Sequence, residues 1–220
     1  MKKTTLGAAV LIAALASSLS VAVALAPPVL TTDVAKVTYP GVVTLTASLT
    51  AESPAATFKM LTPGATSYSV LGTVPASYAD PGVHHFIVRP RRNATYTVEV
   101  DGMISEPVFV PVYVPLSLPT SKAFVRVNTT AAFTGTIRPV HPGPNIDVQF
   151  ERWNVRTRRW ERKLTTAVAG VAQIGATDTT RWTFSRSFRR VDVGSWRVRA
   201  SHACVNHAQS YSSWKRFAVL

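Results

Sequence analysis

One short segment of this chain concentrates residue types that bind transition metals, and it reads Ser201-His202-Ala203-Cys204-Val205-Asn206-His207. On an extended strand His202 and Cys204 share a face, and His207 can fold back from the following turn. Such a trio would form a soft site for copper or zinc. The spacing supplies no fourth ligand, and a buried cysteine flanked by exposed histidines is the simpler interpretation. Metal binding is therefore one alternative, and no cofactor is predicted.

Catalytic motifs are missing from the sequence. A nucleophile needs a base and an orienting group nearby, and the chain contains no G-x-S-x-G, no H-E-x-x-H and no glycine-rich phosphate loop. Its 11 Asp and Glu residues leave little for chemistry built on paired carboxylates. His84 and His85 are adjacent in a predicted strand, where alternation sends one ring inward and the other outward. We predict that the protein is not an enzyme.

Positive charge is concentrated in the second part of the chain. The 220 residues carry 24 Lys and Arg and a formal net charge of +13. Residues 27–118 have five basic and six acidic side chains, which gives a net charge of −1. Residues 119–220 have seventeen basic and five acidic side chains, which gives a net charge of +12. This asymmetry favours an anionic polymer as the partner of the second part. The alternative is a solvated basic face that only aids solubility.

Strand alternation predicts where these charges gather. If Phe150, Val198 and Phe217 point inward, their basic neighbours point outward, and the hairpin that follows Phe150 adds further arginines. The candidate polyanion contacts are Arg152, Arg156, Arg158, Arg159, Arg162, Lys163, Arg197, Arg199 and Arg216.

Two tryptophans lie among these basic residues. Trp153 and Trp160 are the candidate aromatic contacts, because tryptophan beside arginine can stack on sugars or bases. Trp160 is also compatible with a core position, since it aligns with Tyr68 in an internal repeat. No base-reading motif is visible, so no specific nucleic acid is predicted as a partner.

The elements that must position these residues are strands. From residue 33 onward the chain has short alternating runs of Val, Thr, Phe and Tyr, punctuated by Pro-Gly pairs, a pattern typical of an all-β sandwich or barrel. The stretch 37–49 aligns without gaps with 125–137, and later pairs such as Phe58 with Phe150 and Tyr96 with Trp196 follow at growing offsets. Growing offsets place insertions in loops, as in a duplicated domain. The proline-containing segment 115–121 is the predicted semi-rigid linker.

Two short motifs carry a family resemblance. Residues 192–198, Asp-Val-Gly-Ser-Trp-Arg-Val, resemble the D-x-G-x-Y-x-C pattern of strand F in immunoglobulin domains, and residues 94–98 keep the tyrosine of that pattern. The resemblance implies that Tyr96 donates its hydroxyl hydrogen bond to upstream backbone, whereas Trp196 can offer only its indole N–H. Val98 and Val198 stand where the family has a disulfide cysteine.

In the same resemblance, Leu45 and Phe133 would occupy the strand-B positions that face those valines, so that apolar packing replaces the disulfide. Residues 33–220 also resemble tandem immunoglobulin-like modules of secreted proteins from high-GC Gram-positive bacteria, through Val148-Gln149-Phe150-Glu151-Arg152, Trp160 and Trp196-Arg197-Val198. These motifs are structural and imply a fold without a specific activity. We expect two tandem immunoglobulin-like β-sandwich domains, 27–117 and a basic 118–220.

The N-terminus predicts export. Lys2 and Lys3 precede an apolar run from Leu6 that ends in small residues at Ala22, Ala24 and Ala26, as in a signal peptide covering residues 1–26. An uncleaved membrane anchor is the alternative, because the run has about the 20 residues needed to span a bilayer. A secreted or cell-envelope-associated product is expected, with no membrane span in the mature chain.

The sequence thus leaves four functions open. The first is a non-catalytic binding or adhesion-type protein whose basic second domain contacts an anionic envelope or extracellular polymer, with the first domain as a spacer. The second is a carbohydrate-binding accessory module that uses exposed tryptophan, and the third is a secreted copper- or zinc-binding protein. A structural module without a ligand of its own is the fourth. The oligomeric state stays open.

Overall fold

The computed structural model describes residues 26–49, 55–75, 80, 82–140, 146–168 and 170–220. The predicted signal peptide lies outside these residues except for Ala26. The N-terminal half contains strands β1 (Val29–Thr32), β2 (Val37–Thr38), β3 (Val43–Ser48), β4 (Ala55–Leu61), β5 (Ser69–Pro75), β6 (Val83–Val88), β7 (Ala94–Val100), β8 (Met103–Ile104), β9 (Val108–Val110) and β10 (Val112–Tyr113). The C-terminal half contains β11 (Phe124–Val125), β12 (Thr129–Ile137), β13 (Ile146–Asn154), β14 (Arg159–Ala167), β15 (Gly170–Gln173), β16 (Thr180–Phe188), β17 (Gly194–Cys204), β18 (His207–Tyr211) and β19 (Lys215–Val219).

The chain is all-β, as predicted, and a short 3-10 helix at Arg190–Asp192 interrupts it before β17. Within the described ranges, no helix is long and apolar enough to cross a membrane. Alternation explains the strands: β3 reads Val-Thr-Leu-Thr-Ala-Ser, and its Val, Leu and Ala are buried while the residues between them are not. Each strand therefore presents one apolar face to a core.

The sheets divide between the two halves. In the N-terminal half, β1-β3-β6 form one sheet and β5-β4-β7 form another, in which β8 and β9 both pair with β7; β10 pairs in parallel with β2. In the C-terminal half, the sheet order is β11-β19-β17-β13-β14, with β18 also paired with β17, and β12-β16-β15 form the second sheet. Both halves thus have a sandwich-like architecture.

Each half has its own hydrophobic cluster. Leu45 and Val98 lie in the first cluster, and Phe133 and Val198 lie in the second, all fully buried. The second core is rich in aromatic rings, with Phe133 and Phe150 packed edge to face at 5.0 Å between centroids. Such pairs stabilise a core beyond the area they bury. In the N-terminal half, His84 is buried and His85 is exposed, as alternation predicts.

Two special positions show how tightly the second core is packed. Gly135 lies opposite Trp182, and a Cβ at Gly135 would be only 2.3 Å from the indole ring. Arg186 points into the core, where its guanidinium lies 4.8 Å from the centroid of Trp196 and 4.0 Å from Asp192. Burial lowers the pKa of Arg186, and Asp192 opposes that shift. This arginine therefore belongs to the core and not to the basic surface.

The hydrogen bonds of Trp196 and Tyr96, the two aromatic residues of the immunoglobulin-like motifs, differ from the expectation. Trp196 donates its indole N–H to the carbonyl oxygen of Asp192 at 2.6 Å, a bond that reaches four residues upstream. The hydroxyl of Tyr96 is buried and makes no hydrogen bond with any residue that the structure describes. The prediction that it donates to upstream backbone is therefore wrong. Burial raises the pKa of Tyr96 to about 12. The side-chain hydrogen bond to upstream backbone is thus made by Trp196 and not by Tyr96.

The predicted linker does not stand apart as a spacer. Ser117 donates its N–H to the carbonyl of Thr136 at 2.9 Å, and Thr120 donates to Thr134 at 2.7 Å. Val114, just before this segment, packs in the second core. The segment therefore runs along β12 and is part of the C-terminal half.

Hydrogen bonds join the two halves at the tip of the β17–β18 hairpin. Asn93 donates its backbone N–H to Asn206 at 2.7 Å and its side-chain amide to Val205 at 3.1 Å. Its Oδ1 accepts the N–H of Val112 at 2.8 Å, within its own half. Asn93 is buried, so these bonds replace water at groups that would otherwise be unsatisfied.

A second contact between the halves centres on Asp178. The hydroxyl of Tyr39 donates to Asp178, and the guanidinium of Arg91 lies 2.6 Å from the same carboxylate. The hydrogen bond from Tyr39 is the main cause that lowers the pKa of Asp178, and the same bond, together with burial, raises the pKa of Tyr39. Both residues therefore stabilise the junction in their ordinary charge states at neutral pH.

This contact predicts acid sensitivity. Because the pKa of Asp178 is lower in the folded state than its unfolded value of about 3.9, its stabilisation is complete above about pH 4 and is lost as the pH falls through the lower folded value. We expect the free energy of unfolding of the wild type, from urea titrations at several pH values, to fall more steeply with acid than that of Asp178→Asn. The exposed Asp147→Asn variant is the matched control and should keep the wild-type slope. Equal slopes for the wild type and D178N would contradict the prediction.

Candidate binding surface of the C-terminal half

Strand β17 positions the centre of the surface. Its inward side chains are Trp196, Val198 and Ala200, all buried, and Arg197 and Arg199 between them face outward. Pairing across the sheet sets Arg197 opposite Glu151 on one side and opposite Arg216 on the other. The predicted outward orientation of these arginines is therefore the one that the structure has.

The outward arginines are sandwiched by aromatic rings. The guanidinium carbon of Arg197 lies 4.7 Å from the ring centroid of Trp160 and 4.3 Å from that of Trp214. Arg199 lies 4.5 Å from Trp214 and 4.1 Å from Tyr211. The five side chains form a continuous stack, which we call the ladder: Trp160, Arg197, Trp214, Arg199 and Tyr211. Each guanidinium-over-ring contact is a cation–π interaction.

Polar partners fix the ladder to the sheet. Oε2 of Glu151 accepts hydrogen bonds from Nε and Nη2 of Arg197 at 2.8 and 2.6 Å, and both side chains are largely shielded from water. Oε1 of Gln149 accepts from Nε of Arg199 at 2.9 Å. Charge-assisted bonds of this kind are stronger than neutral ones. The ladder arginines are therefore engaged within the sheet and cannot turn freely toward a ligand.

A groove opens at one end of the ladder. Trp153 pairs with Trp160 across the β13–β14 hairpin, and their rings meet edge to face at 5.4 Å. Both rings line an open cavity of about 500 Å³, together with Arg216 and Phe124, whose side chain is 65% exposed. Neither tryptophan is in the core; both are half-buried on the outer face. The groove thus offers aromatic surface beside a cation.

The turn of the hairpin carries exposed charge. Oδ1 of Asn154 accepts the backbone N–H groups of Arg156 and Thr157 at 2.9 and 3.2 Å, and Arg158 has a φ of 51°. The side chain of Asn154 thus holds an Asx-type turn. The exposed arginines of the hairpin make no ion pair among the described residues, and they are Arg156, Arg158, Arg159 and Arg162.

Two further candidate contacts have internal partners. Arg152 donates from Nη1 and Nη2 to the carbonyl oxygens of Val191 and Val193 at 2.7 and 2.6 Å. Lys163 lies 2.8 Å from Glu161, and its hydrogen bond is the largest cause that lowers the pKa of Glu161. Of the nine candidate basic residues, five are therefore exposed without an ion pair to any described residue: the four hairpin arginines and Arg216.

Two ladder members went unrecognised in the sequence. Trp214 and Tyr211 contact the arginines because β19 and β18 both pair with β17. A signal for Trp214 was present, since it precedes Arg216 by two residues and must share its outward face. Phe124 carried no comparable signal, because its two-residue strand is too short to show alternation.

A separate cluster lies at the other end of β17. His202, Cys204 and His207 come together there, with their ligand atoms all within 4.8 Å of one another. The sequence placed these three residues near each other, and the structure brings their side chains together at the hairpin tip. The simpler interpretation of a buried cysteine flanked by exposed histidines is wrong, because both histidines are buried and Cys204 is partly exposed.

No protein-family model matches this chain, and no curated protein matches it in sequence.

The ladder predicts that arginine cannot be replaced by lysine at its centre. We expect Arg197→Lys to lower the free energy of unfolding by about 1–2 kcal/mol, because an ammonium has no planar face to place between two indoles and no fixed pair of donors to aim at Glu151. Urea unfolding followed by tryptophan fluorescence measures the change. The control is Arg162→Lys, an exposed position on β14 in the same sheet, which should stay within about 0.5 kcal/mol of the wild type. Equal decreases in the two variants would mean that the stack contributes nothing specific.

Proposed function

We propose that this chain is a secreted, non-catalytic binding protein of two immunoglobulin-like β-sandwich domains, and that the C-terminal domain binds an anionic envelope or extracellular polymer. The paired sheets and separate cores of the two halves support the domain assignment, together with the internal repeat. The signal-like N-terminal sequence supports export. The N-terminal domain would act as a spacer for the C-terminal binding domain.

The observation that carries the binding proposal is the set of exposed arginines on the β13–β14 hairpin, whose two tryptophans line the groove. One hairpin carries four exposed arginines, and Arg216 borders the Trp153–Trp160 groove beside that hairpin. The four are Arg156, Arg158, Arg159 and Arg162. These arginines leave their guanidinium donors available to phosphate, sulfate or carboxylate groups, which guanidinium recognises with paired hydrogen bonds.

Preorganisation of the hairpin favours such binding. The turn is held by Asn154, and the strands beneath it are tied by the ladder, so the hairpin backbone loses little freedom when a ligand binds. The acidic residues of the hairpin do not cancel its charge toward a ligand: Glu151 is engaged by Arg197, and Glu161 by Lys163. A polymer with repeated negative charges can contact several of the hairpin arginines at once.

The test compares two variants that lose the same charge. Arg156→Gln/Arg159→Gln/Arg162→Gln removes three hairpin arginines, and Arg138→Gln/Arg181→Gln/Arg189→Gln removes three exposed arginines elsewhere in the C-terminal half. Affinity for polyphosphate and polygalacturonate is measured over a series of salt concentrations, with neutral dextran as a blank. We expect the hairpin variant to bind more weakly and to lower the slope of log affinity against log salt by about one for each arginine that binds an anionic group in the wild type.

The control variant should retain most of the wild-type affinity. Equal weakening of both variants would show that only net charge matters, and would overturn a located binding surface. Failure of the wild-type chain to bind either polyanion above the dextran blank would overturn the polyanion proposal itself.

The groove also favours a second candidate, binding of a neutral glycan by aromatic stacking. Trp153 and Trp160 expose parts of their rings at a steep angle to each other, and Phe124 adds a third aromatic surface. Sugar rings stack on such surfaces without needing charge.

This second candidate predicts binding that tolerates salt and depends on Trp153. We expect Trp153→Ala to abolish retention on neutral polysaccharides, measured by affinity electrophoresis in gels that contain each polymer. The control is Phe109→Ala, which removes a 57% exposed aromatic side chain from the N-terminal half and should leave retention unchanged. Retention of the Trp153 variant at the wild-type level would rule out stacking in this groove.

A further inference from the structure

The hairpin tip between β17 and β18 concentrates donors for a soft metal ion. Cys204 and His207 are directly opposite each other across the tip, on either side of the two-residue turn Val205–Asn206. The pairing shifts register between His202 and Cys204, which marks an irregularity in β17 at this point. Such irregularities re-aim side chains. Here His202 reaches the same cluster, its ring centroid 5.8 Å from that of His207.

The distances are close to those of a coordination sphere. Sγ of Cys204 lies 3.4 Å from Nδ1 of His207. Bond lengths of about 2.3 Å to sulfur and about 2.05 Å to nitrogen at a tetrahedral angle would separate these two atoms by about 3.6 Å. The remaining ligand atom, from His202, lies within 4.8 Å of both. Small side-chain rotations would therefore bring all three atoms around one ion.

A backbone carbonyl orients His207 for this role. Nε2 of His207 lies 2.8 Å from the carbonyl oxygen of Arg91. A carbonyl oxygen only accepts hydrogen bonds, so Nε2 carries the proton, and in the neutral ring the lone pair is on Nδ1, facing the thiol of Cys204. Metal-bound histidines commonly donate their second N–H to a carbonyl in this way. In the metal-free state the same lone pair accepts the S–H of Cys204.

We propose that His202, Cys204 and His207 bind one d10 transition-metal ion, Zn²⁺ or Cu⁺. The donor set is one sulfur and two imidazole nitrogens without a carboxylate, which suits these ions and not Ca²⁺ or Mg²⁺. Binding converts the thiol to a thiolate and releases one proton to solvent. Both histidines are buried and Cys204 is partly exposed, so the ion would be reached from the side of the cysteine and could keep one position open for water.

The site touches the junction between the two halves. The carbonyl that orients His207 belongs to Arg91 of the N-terminal half, and Asn93 of the same loop holds both residues of the turn. A bound ion would tie the tip of the hairpin together at the point where it contacts that loop. This site is distinct from the ladder and the groove, so its test is independent of the polyanion proposal.

The experiment uses the full chain without a histidine tag, reduced and free of oxygen. Co²⁺ is titrated as the spectroscopic probe, followed by competition with Zn²⁺, and Cu⁺ is tested separately against a chromogenic Cu⁺ chelator. We expect one Co²⁺ per chain with a thiolate-to-cobalt charge-transfer band, and displacement of the cobalt by Zn²⁺. The ion that competes more strongly identifies the preferred metal.

Variants locate the site. Cys204→Ser should abolish the charge-transfer band and weaken Zn²⁺ binding by more than about tenfold, since even the loss of an outer partner costs that much. His207→Gln keeps an N–H donor for the Arg91 carbonyl but loses the imidazole, and should weaken binding similarly. The exposed His85→Ala is the control and should bind as the wild type does. Folding of each variant is checked by circular dichroism.

Two results would overturn the proposal. One is a folded, reduced wild-type chain that shows no charge-transfer band and no stoichiometric Zn²⁺ or Cu⁺ binding, because the cluster would then be only a hydrogen-bonded pair beside a packed histidine. The other is unchanged metal binding in Cys204→Ser, which would place the metal elsewhere on the chain.

Discussion

Asn93 hydrogen-bonds to both halves of the chain at once, and the packing of the halves against each other depends on buried polar contacts of this kind. Its side-chain oxygen accepts from Val112 in its own half, while its backbone and side-chain N–H donors reach the hairpin tip of the other half. Nearby, Asp178 reaches back in the opposite direction to Tyr39 and Arg91. Buried polar groups of this kind are costly to leave unpaired, so the two halves hold each other in place by reciprocal contacts.

The arginines of the C-terminal half serve two different purposes. Arg186 stacks on core aromatics, Arg152 closes on backbone carbonyls, and Arg197 and Arg199 form the ladder. These four stabilise the sandwich from within and along its outer sheet. The hairpin arginines remain in water and give that end of the sheet its charge. A net charge counted from sequence thus overstates the charge that a ligand would meet.

Local patterns predicted the faces of strands but not the identity of their neighbours. Arg197 and Arg216 could be assigned to the outer face because Val198 and Phe217 are apolar and strands alternate with a period of two. Their stacking with Trp214 and Trp160 could not be predicted, because it depends on which strand pairs with β17 and in which register. Hydrogen bonds between residues distant along the chain could not be predicted either. Asn93 and Val205 are 112 positions apart, and no sequence pattern near either residue indicates the other.

For His202, Cys204 and His207, in contrast, the sequence alone indicated the cluster. Its members lie within six positions in one hairpin, so the sequence was sufficient to place them together. The carbonyl of Arg91 that orients His207 came from 116 positions away, and no local pattern indicated it.

The position of β14 has a consequence for how the protein behaves at high concentration. β14 is the last strand of its sheet, so its outer edge presents backbone groups that a second chain could use to extend the sheet. Arg159, Arg162 and Lys163 all lie on this strand, and their mutual repulsion opposes the approach of an identical edge. At the opposite end, β11 is only two residues long. Charge therefore opposes growth of the sheet at the β14 edge, and the shortness of β11 limits strand pairing at the edge that it forms.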